Sequence, residues 1–197
     1  MRVLALTGSV AAGKSSVGAL FEEWGTPVLS ADAVVRDLQR SGEPVYDAIV
    51  SAFGTAIVAA NGELDRAALR RRILEDPAAR HALEAIVHPA IEPRRRTWLD
   101  AARARGEPLV VADIPLLFEV ADPAAYDGVI VVDAPVAERR RRLIDDRGLS
   151  PREADQLLDA QLPAAAKRAR ATWVIDNDSS RDVLRARARH VWDQLPR

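Results

Sequence analysis

Five short apolar runs are spread along the chain, and the segments between them carry apolar residues at helical spacing. Each run is continuously apolar instead of alternating, which is typical of strands buried on both faces of a sheet. The runs cover residues 3–7, 27–30, 109–113, 129–133 and 173–176. Strands that alternate with helices predict an α/β protein with a mostly parallel sheet of about five strands, covered by helices on both faces.

The clearest helix follows the first apolar run. Val17, Leu20, Phe21 and Trp24 stand at positions i, i+3, i+4 and i+7, so they share one face of a helix. Gly25 offers the left-handed residue that commonly ends a helix. We therefore expect a strand, a loop and a helix to follow one another directly at the amino-terminal end.

Two long stretches, roughly 31–108 and 135–171, lack strand patterns and are mainly helical in character. In the first of them, the pairs Asp76-Pro77 and His88-Pro89 are predicted to break helices, because a residue before proline is steered away from helical angles. Both stretches are expected above the carboxyl ends of the strands, which is where open α/β sheets bind ligands.

Composition excludes several classes of protein. The 197 residues carry 28 Lys and Arg against 29 Asp and Glu, a net charge of −1, so the overall basic field of a general nucleic-acid binder is absent. A chain without cysteine has no disulfide framework, thiolate zinc site or thiol catalysis. No apolar run reaches the ~18 residues of a membrane span. We expect a cytoplasmic protein that binds neither nucleic acid nor membrane, and no obligate protein partner is indicated.

Residues 8–15, GSVAAGKS, fit the phosphate-binding pattern G-x-x-x-x-G-K-S/T and fall between the first strand and the first helix, the context that this pattern requires. The backbone amides of such a loop form an anion site, and the helix adds its positive end. We expect Lys14 to reach the β- and γ-phosphates and Ser15 to ligate Mg²⁺. The alternative is a turn that merely joins a strand to a helix. The residues expected to bind the nucleotide phosphates are Gly8, Ala11, Ala12, Gly13, Lys14, Ser15 and Ser16.

Two acids close strands of the predicted sheet. Asp32 follows the second strand, where it could take a proton from an acceptor hydroxyl, and capping of the next helix by Ser30 or Asp32 is the alternative. Asp113 ends the third strand, where nucleotide enzymes place the acid that holds Mg²⁺ through water, with capping again as the alternative. The apolar run 115–118 suits either core packing or a wall for an organic acceptor.

Further motifs accompany the loop and the two acids. They are Asn61-Gly62-Glu63-Leu64-Asp65-Arg66, Leu83-Glu84 with His88-Pro89, Pro115-Leu116-Leu117-Phe118-Glu119, Gln161 and Asn177. In this order and approximate spacing, the chain resembles the dephospho-coenzyme A kinase family from residue 2 to about residue 190. The phosphate loop is shared with many unrelated proteins, whereas the Asp-Arg, His-Pro and Pro-Leu-Leu-Phe-Glu segments are far more particular.

The resemblance implies transfer of the γ-phosphoryl group of ATP to the 3′-hydroxyl of dephospho-coenzyme A, with Mg²⁺. It also implies a single P-loop domain of the nucleoside-monophosphate-kinase type. The expected core covers residues 1–32, 106–134 and 171–197. A helical insert that binds the acceptor is expected at about 33–105, and a lid at about 135–170.

The resemblance also implies roles for individual residues. It implies that Asp32 is the general base that takes the proton from the acceptor hydroxyl, although Ser30 stands where the family has a further aspartate. Arg142 and Arg147 become lid arginines that neutralise charge in the transition state, and Asn177 is expected to meet the adenine of ATP. The residues implied to contact the acceptor, besides Asp32, are Arg66, His88, Pro115, Leu116 and Leu117; for His88, termination of a helix is the alternative.

Two other functions remain open at this point. One is a kinase of the same architecture that acts on another small metabolite or a nucleoside. The other is a nucleotide-gated switch or scaffold that binds without transfer, but the chain contains no Asn-Lys-x-Asp segment of the kind that reads guanine.

Overall fold

The computed structural model describes residues 1–196, and its central feature is one parallel sheet of five strands. The strands are β1 (Arg2–Gly8), β2 (Val28–Ser30), β3 (Leu109–Asp113), β4 (Gly128–Asp133) and β5 (Trp173–Asp176). Their order in the sheet is β2-β3-β1-β4-β5. The predicted α/β class and five-stranded parallel sheet are confirmed, and each strand begins and ends within one residue of its predicted run.

Helices fill most of the chain between the strands. They are α1 (Lys14–Glu23), α2 (Ala31–Leu38), α3 (Pro44–Phe53), α4 (Arg66–Glu75), α5 (Pro77–Ala104), α6 (Leu117–Val120), α7 (Val136–Asp145), α8 (Pro151–Asp159), α9 (Ala164–Arg168) and α10 (Arg181–Gln194), with short 3-10 turns at Thr55–Ile57 and Pro123–Ala125. Within residues 1–196, no helix is both long and apolar enough to cross a bilayer.

Strand β1 lies at the centre of the sheet and is buried on both faces. Because successive side chains of a strand point to opposite faces, Leu4 and Leu6 pack in the larger core cluster together with Phe21 of α1. Ala5 packs in a second cluster on the other face, together with Leu117 of α6. Burial on both faces explains why the strands are continuously apolar in sequence.

The strand order places a switch point at the carboxyl end of β1. The chain leaves β1 and reaches β2 and β3 on one side, and it later returns to β4 and β5 on the other. A crevice forms where the order reverses in this way, and open α/β sheets bind ligands there. The predicted phosphate loop, residues 8–15, leaves the sheet at this point.

One of the two predicted helix breaks is wrong. Asp76 separates α4 from α5, as predicted, because Pro77 takes the first helical position, where its missing amide would have no partner. The pair His88-Pro89 does not end a helix, because α5 continues through Pro89 and Pro93 to Ala104. A proline inside a helix removes one hydrogen bond, and this 28-residue helix continues on both sides of the pair despite that loss.

The chain divides into two compact units. The sheet unit contains Met1–Ser30 and the chain from Ala102 onward, and therefore the whole sheet together with α1, α6 and α7 to α10. The helical unit is Ala31–Ala101, close to the segment 33–105 expected for the insert. The segment 135–170, expected to be a lid, folds as α7, α8 and α9 within the sheet unit.

Candidate active site

The phosphate loop begins and ends at glycines that the backbone geometry requires. A Cβ on Gly8 would overlap the Val132 carbonyl of neighbouring strand β4. Gly13 has a φ of 94°, and a Cβ there would overlap the side-chain amide of Asn177. Between them, Ala11 has a φ of 59°, in the left-handed region that non-glycine residues seldom adopt. The loop therefore has a defined shape that the surrounding structure must hold in place.

Three side chains from distant parts of the sheet unit hold the loop backbone. Gln161 accepts a hydrogen bond from the Val10 amide at 2.9 Å. Arg142 donates to the Ala11 carbonyl at 3.1 Å, and the Asn177 amide donates to the Ala12 carbonyl at 2.8 Å. Two of the loop carbonyls are thereby turned toward protein partners.

Lys14 and Asp113 form an ion pair beside the loop. Lys14 is the first residue of α1 and Asp113 is the last residue of β3, and both side chains are largely buried. Ser15 follows Lys14 in the first turn of α1 and is exposed. The structure thus brings together the cation predicted to meet phosphate and the acid predicted to hold Mg²⁺.

Arg142 is the member of the 139–142 arginine run that contacts the loop. Its Nε donates to Glu138 at 3.0 Å, and its terminal nitrogens donate to the carbonyls of Ala11 and Asn177. A hydrogen bond from Arg141, and then the charges of Arg141 and Arg142, lower the pKa of Glu138 to about 2. The carboxylate is therefore ionised at neutral pH and fixes one edge of the Arg142 guanidinium.

The neighbouring arginines have structural partners. Arg139 is buried, which lowers its pKa, and donates to the Ala134 carbonyl at 3.0 Å. Arg140 binds Asp155 and so ties α7 to α8. Arg147 is exposed in the turn that follows α7. Of the two arginines predicted to act on phosphate, Arg142 is bound to the loop backbone and Arg147 is exposed.

Asn177 lies directly after β5 and is buried. Its backbone amide donates to the Asp133 carbonyl at 2.7 Å, which places its side chain against the loop. A cavity of about 270 Å³ opens at the carboxyl ends of β4 and β5, lined by residues that include Pro135, Val136 and Asp178. The predicted contact between Asn177 and adenine stays a prediction, but the side-chain nitrogen already has a partner in the protein.

The segment after β3 separates into buried and exposed residues. Leu117 is fully buried in the second core cluster, whereas Leu116 is 38% exposed. Pro115 is half-buried, and its carbonyl accepts a hydrogen bond from the Thr7 hydroxyl. The structure therefore favours the packing interpretation for Leu117 over the predicted contact with substrate.

In the helical unit, the candidate residues are exposed. Asp32 is the second residue of α2 and so does not cap that helix; within residues 1–196 its carboxylate has no hydrogen bond or ion pair. Arg66 is the first residue of α4 and donates to Gln39 at 3.3 Å. His88 is exposed in the middle of α5, so its alternative role in ending a helix is excluded.

Sequence reasoning missed how the loop is held. In the sequence, only the resemblance singles out Gln161 and Glu119, and no pattern predicts the contact between Arg142 and the loop. No local pattern carries this information, because the residues bonded to the loop are 131 to 165 positions away in the chain. Their presence in the resemblance was the one available signal.

Strand order and loop together define a nucleotide-binding protein of the P-loop class, since an anion-binding loop stands at the switch point of the sheet and a lysine and an acid meet beside it. Comparison with known proteins narrows this class. The chain belongs to the dephospho-CoA kinase family, whose family model matches residues 2–182. The resemblance stated from the sequence is thereby confirmed.

Individual relatives agree with this assignment. A dephospho-CoA kinase of Symbiobacterium thermophilum is 44% identical over 192 residues, which cover 98% of this chain and 80% of that protein. A solved structure from Thermus thermophilus is 36% identical, covers 100% of this chain and 98% of its own, and has a TM-score of 0.76. A shikimate kinase from Bacteroides thetaiotaomicron, 16% identical with a TM-score of 0.50 and coverage of 98% and 97%, shares the fold alone.

Proposed function

We propose that this protein transfers the γ-phosphoryl group of ATP to the 3′-hydroxyl of dephospho-coenzyme A, giving coenzyme A and ADP in the last step of coenzyme A synthesis. The observation that carries the proposal is the Lys14–Asp113 pair beside a loop bounded by Gly8 and Gly13, in a chain whose family match runs over residues 2–182. Phosphoryl transfer depends mainly on positioning and charge stabilisation, and this arrangement supplies both.

The triphosphate binds the amides of the loop and the first turn of α1, from Ala11 to Ser16. Lys14 exchanges its contact with Asp113 for the β- and γ-phosphates. A magnesium ion fits the oxygen atoms of Ser15 and Asp113, because Mg²⁺ keeps most of its waters and takes few protein ligands. When bound, it neutralises charge on the phosphate oxygens. Within residues 1–196, no three acidic or histidine side chains come together as a cation site on their own.

The acceptor side of the reaction centres on Asp32. Its exposed carboxylate follows β2 in the chain by two residues, and it accepts the proton of the 3′-hydroxyl. No second carboxylate assists it at position 30, where this chain has a serine. Arg66 and His88 contribute contacts to the acceptor, and Pro115 with exposed Leu116 forms an apolar wall.

The two lid arginines take different parts in the proposal. Arg142 keeps the Ala11 carbonyl turned away from the phosphates through its bond to that oxygen, whereas exposed Arg147 meets the transferring phosphoryl group. The base of ATP binds beside Asn177, whose side-chain oxygen accepts from the adenine amino group, and the cavity of about 270 Å³ at Pro135 and Val136 accommodates the ring.

An assay of ADP release tests the function. Purified protein with ATP and Mg²⁺ is offered dephospho-coenzyme A, a series of nucleosides, or no acceptor. We expect turnover only with dephospho-coenzyme A and a product phosphorylated at the 3′ position by mass spectrometry. Turnover with a nucleoside would indicate the other class of kinase, and tight nucleotide binding without any turnover would indicate a switch.

A further inference from the structure

Gln161 contacts the phosphate loop through a different kind of bond from the other two holding residues. It lies between α8 and α9, and its side-chain oxygen accepts the Val10 amide at 2.9 Å. Arg142 and Asn177 donate to loop carbonyls, so Gln161 alone among the three fixes a loop N–H group. That bond sets the orientation of the peptide between Ser9 and Val10, one residue before the left-handed residue Ala11.

The backbone beside Gln161 is itself anchored. The amide of Leu162 donates to Glu119 at 3.3 Å, and the same carboxylate lies 2.8 Å from the ammonium of Lys167. Lys167 is only 1% exposed, and a charge so deeply buried requires a counter-charge that stays in place. The cation of Arg170 lies over the Phe118 ring at 4.6 Å. The segment from 161 to 170 is thereby attached to α6, so the backbone that carries Gln161 is held in place.

We infer that Gln161 is a positioning residue for ATP, which holds the Ser9–Val10 peptide so that the loop is shaped for the triphosphate before it binds. The loop contains valine and alanine at positions where glycine would allow many conformations, and Ala11 adopts its left-handed angle only under constraint. Loss of the Gln161 bond releases the peptide that precedes this residue. The inference rests on the proposed function for its kinetic consequence, but the bond itself can be tested without turnover.

The kinetic test compares two variants that remove the acceptor oxygen differently. Gln161→Met keeps the length and packing of the side chain, while Gln161→Ala removes both; Gln156→Ala, an exposed glutamine of α8, is the matched control. We expect KM for ATP to rise about 3- to 10-fold in both Gln161 variants, the scale of one lost hydrogen bond between neutral groups. KM for dephospho-coenzyme A at saturating ATP should stay within about 2-fold of wild type, as should both constants in the control.

The direct test is amide hydrogen exchange of Val10 by NMR in the protein without nucleotide. We expect exchange about 3- to 10-fold faster in both Gln161 variants, with the Thr26 amide, which donates to the Phe21 carbonyl at 2.8 Å, unchanged as an internal reference. A titration with ATP then measures the dissociation constant, which should rise by the same factor as KM.

Each contrary outcome overturns the inference. An unchanged Val10 exchange rate, or a Met variant with wild-type KM for ATP, would reduce Gln161 to a packing residue. Equal losses for both substrates, or unfolding of the Met variant, would show a general structural role. Failure of the wild-type protein to use dephospho-coenzyme A would refute the proposed function instead, and the exchange and titration measurements would still decide the role of Gln161.

Discussion

The side chains packed around the phosphate loop in the sheet unit differ in burial and bonding from two candidate residues of the helical unit. In the sheet unit, Lys14, Arg142 and Asn177 are largely buried, and each is bonded to another part of the chain. In the helical unit, Asp32 and His88 are exposed. Donors that are already oriented stabilise transition-state charge without reorganisation at the moment of reaction. The comparison teaches that the loop and the side chains around it are fixed when the chain folds, whereas the side chains of Asp32 and His88 remain exposed to solvent.

The largest effect is expected from Lys14 in the sheet unit. Lys14→Ala should lower kcat/KM for ATP by ~10³-fold, because it removes a charge aimed at the transferring phosphates in a site where such donors are worth ~10²–10³-fold or more. The measurement is steady-state ADP release. Arg152→Ala removes an exposed cation of α8 and should leave the rate near that of wild type. Wild-type activity in the Lys14 variant would contradict the assignment of the loop and remove the basis of the comparison.

A smaller effect, confined to turnover, is expected from Asp32 in the helical unit. Asp32→Asn should lower kcat by ~10²-fold, the usual contribution of a general base, and leave the dissociation constant of ATP unchanged because a base that acts on the acceptor hydroxyl does not bind the nucleotide. The matched control is Asp37→Asn, which removes another exposed carboxylate of α2, one paired with Arg40.

The Asp32 result separates the two units. A loss of ATP affinity equal to the loss of turnover would show that the helical unit shares in holding the nucleotide, and the contrast drawn above would fail. An unchanged kcat would remove Asp32 from the mechanism.

The smallest effect concerns pH and the carboxylate that supports Arg142. The pKa of Glu138 is lowered from 4.5 to about 2, first by its hydrogen bond from Arg141. A carboxyl group with a depressed pKa in the folded state stabilises the fold above its unfolded pKa and loses that contribution as pH falls toward the folded value. Wild-type protein should therefore lose stability relative to Glu138→Gln between pH 5 and pH 2.

Urea midpoints at several pH values measure this difference, and Glu22→Gln, at an exposed position of α1, serves as the control. The expected change is small because the Glu138 side chain is partly exposed to solvent and surface ion pairs are worth little. A steeper loss of stability in the Glu138 variant than in wild type would contradict the assigned sign. It would also show that another titratable group governs the loss of stability at low pH.

The sequence was most informative where structure depends on neighbouring residues. The five apolar runs matched the strands to within one residue, and the loop pattern lay between β1 and α1, because strand burial and a tight anion-binding turn are both set by a few consecutive side chains. The proline rule succeeded at Asp76 and failed at His88, because a proline inside a helix removes one hydrogen bond and α5 tolerates this loss at both Pro89 and Pro93. The resemblance implies that Leu117 contacts the substrate, yet its side chain is buried in the core.

By itself, then, the chain determined its fold class, the position of its nucleotide loop and the family to which it belongs, because these follow from local patterns and ordered motifs. Tertiary structure alone decided what holds that loop. The bonds from Gln161, Arg142 and Asn177 close over 131 to 165 residues, and such contacts depend on the order in which strands join the sheet. The pattern of apolar residues along the chain does not specify the strand order. The residues that hold the loop could therefore be identified only from the folded structure.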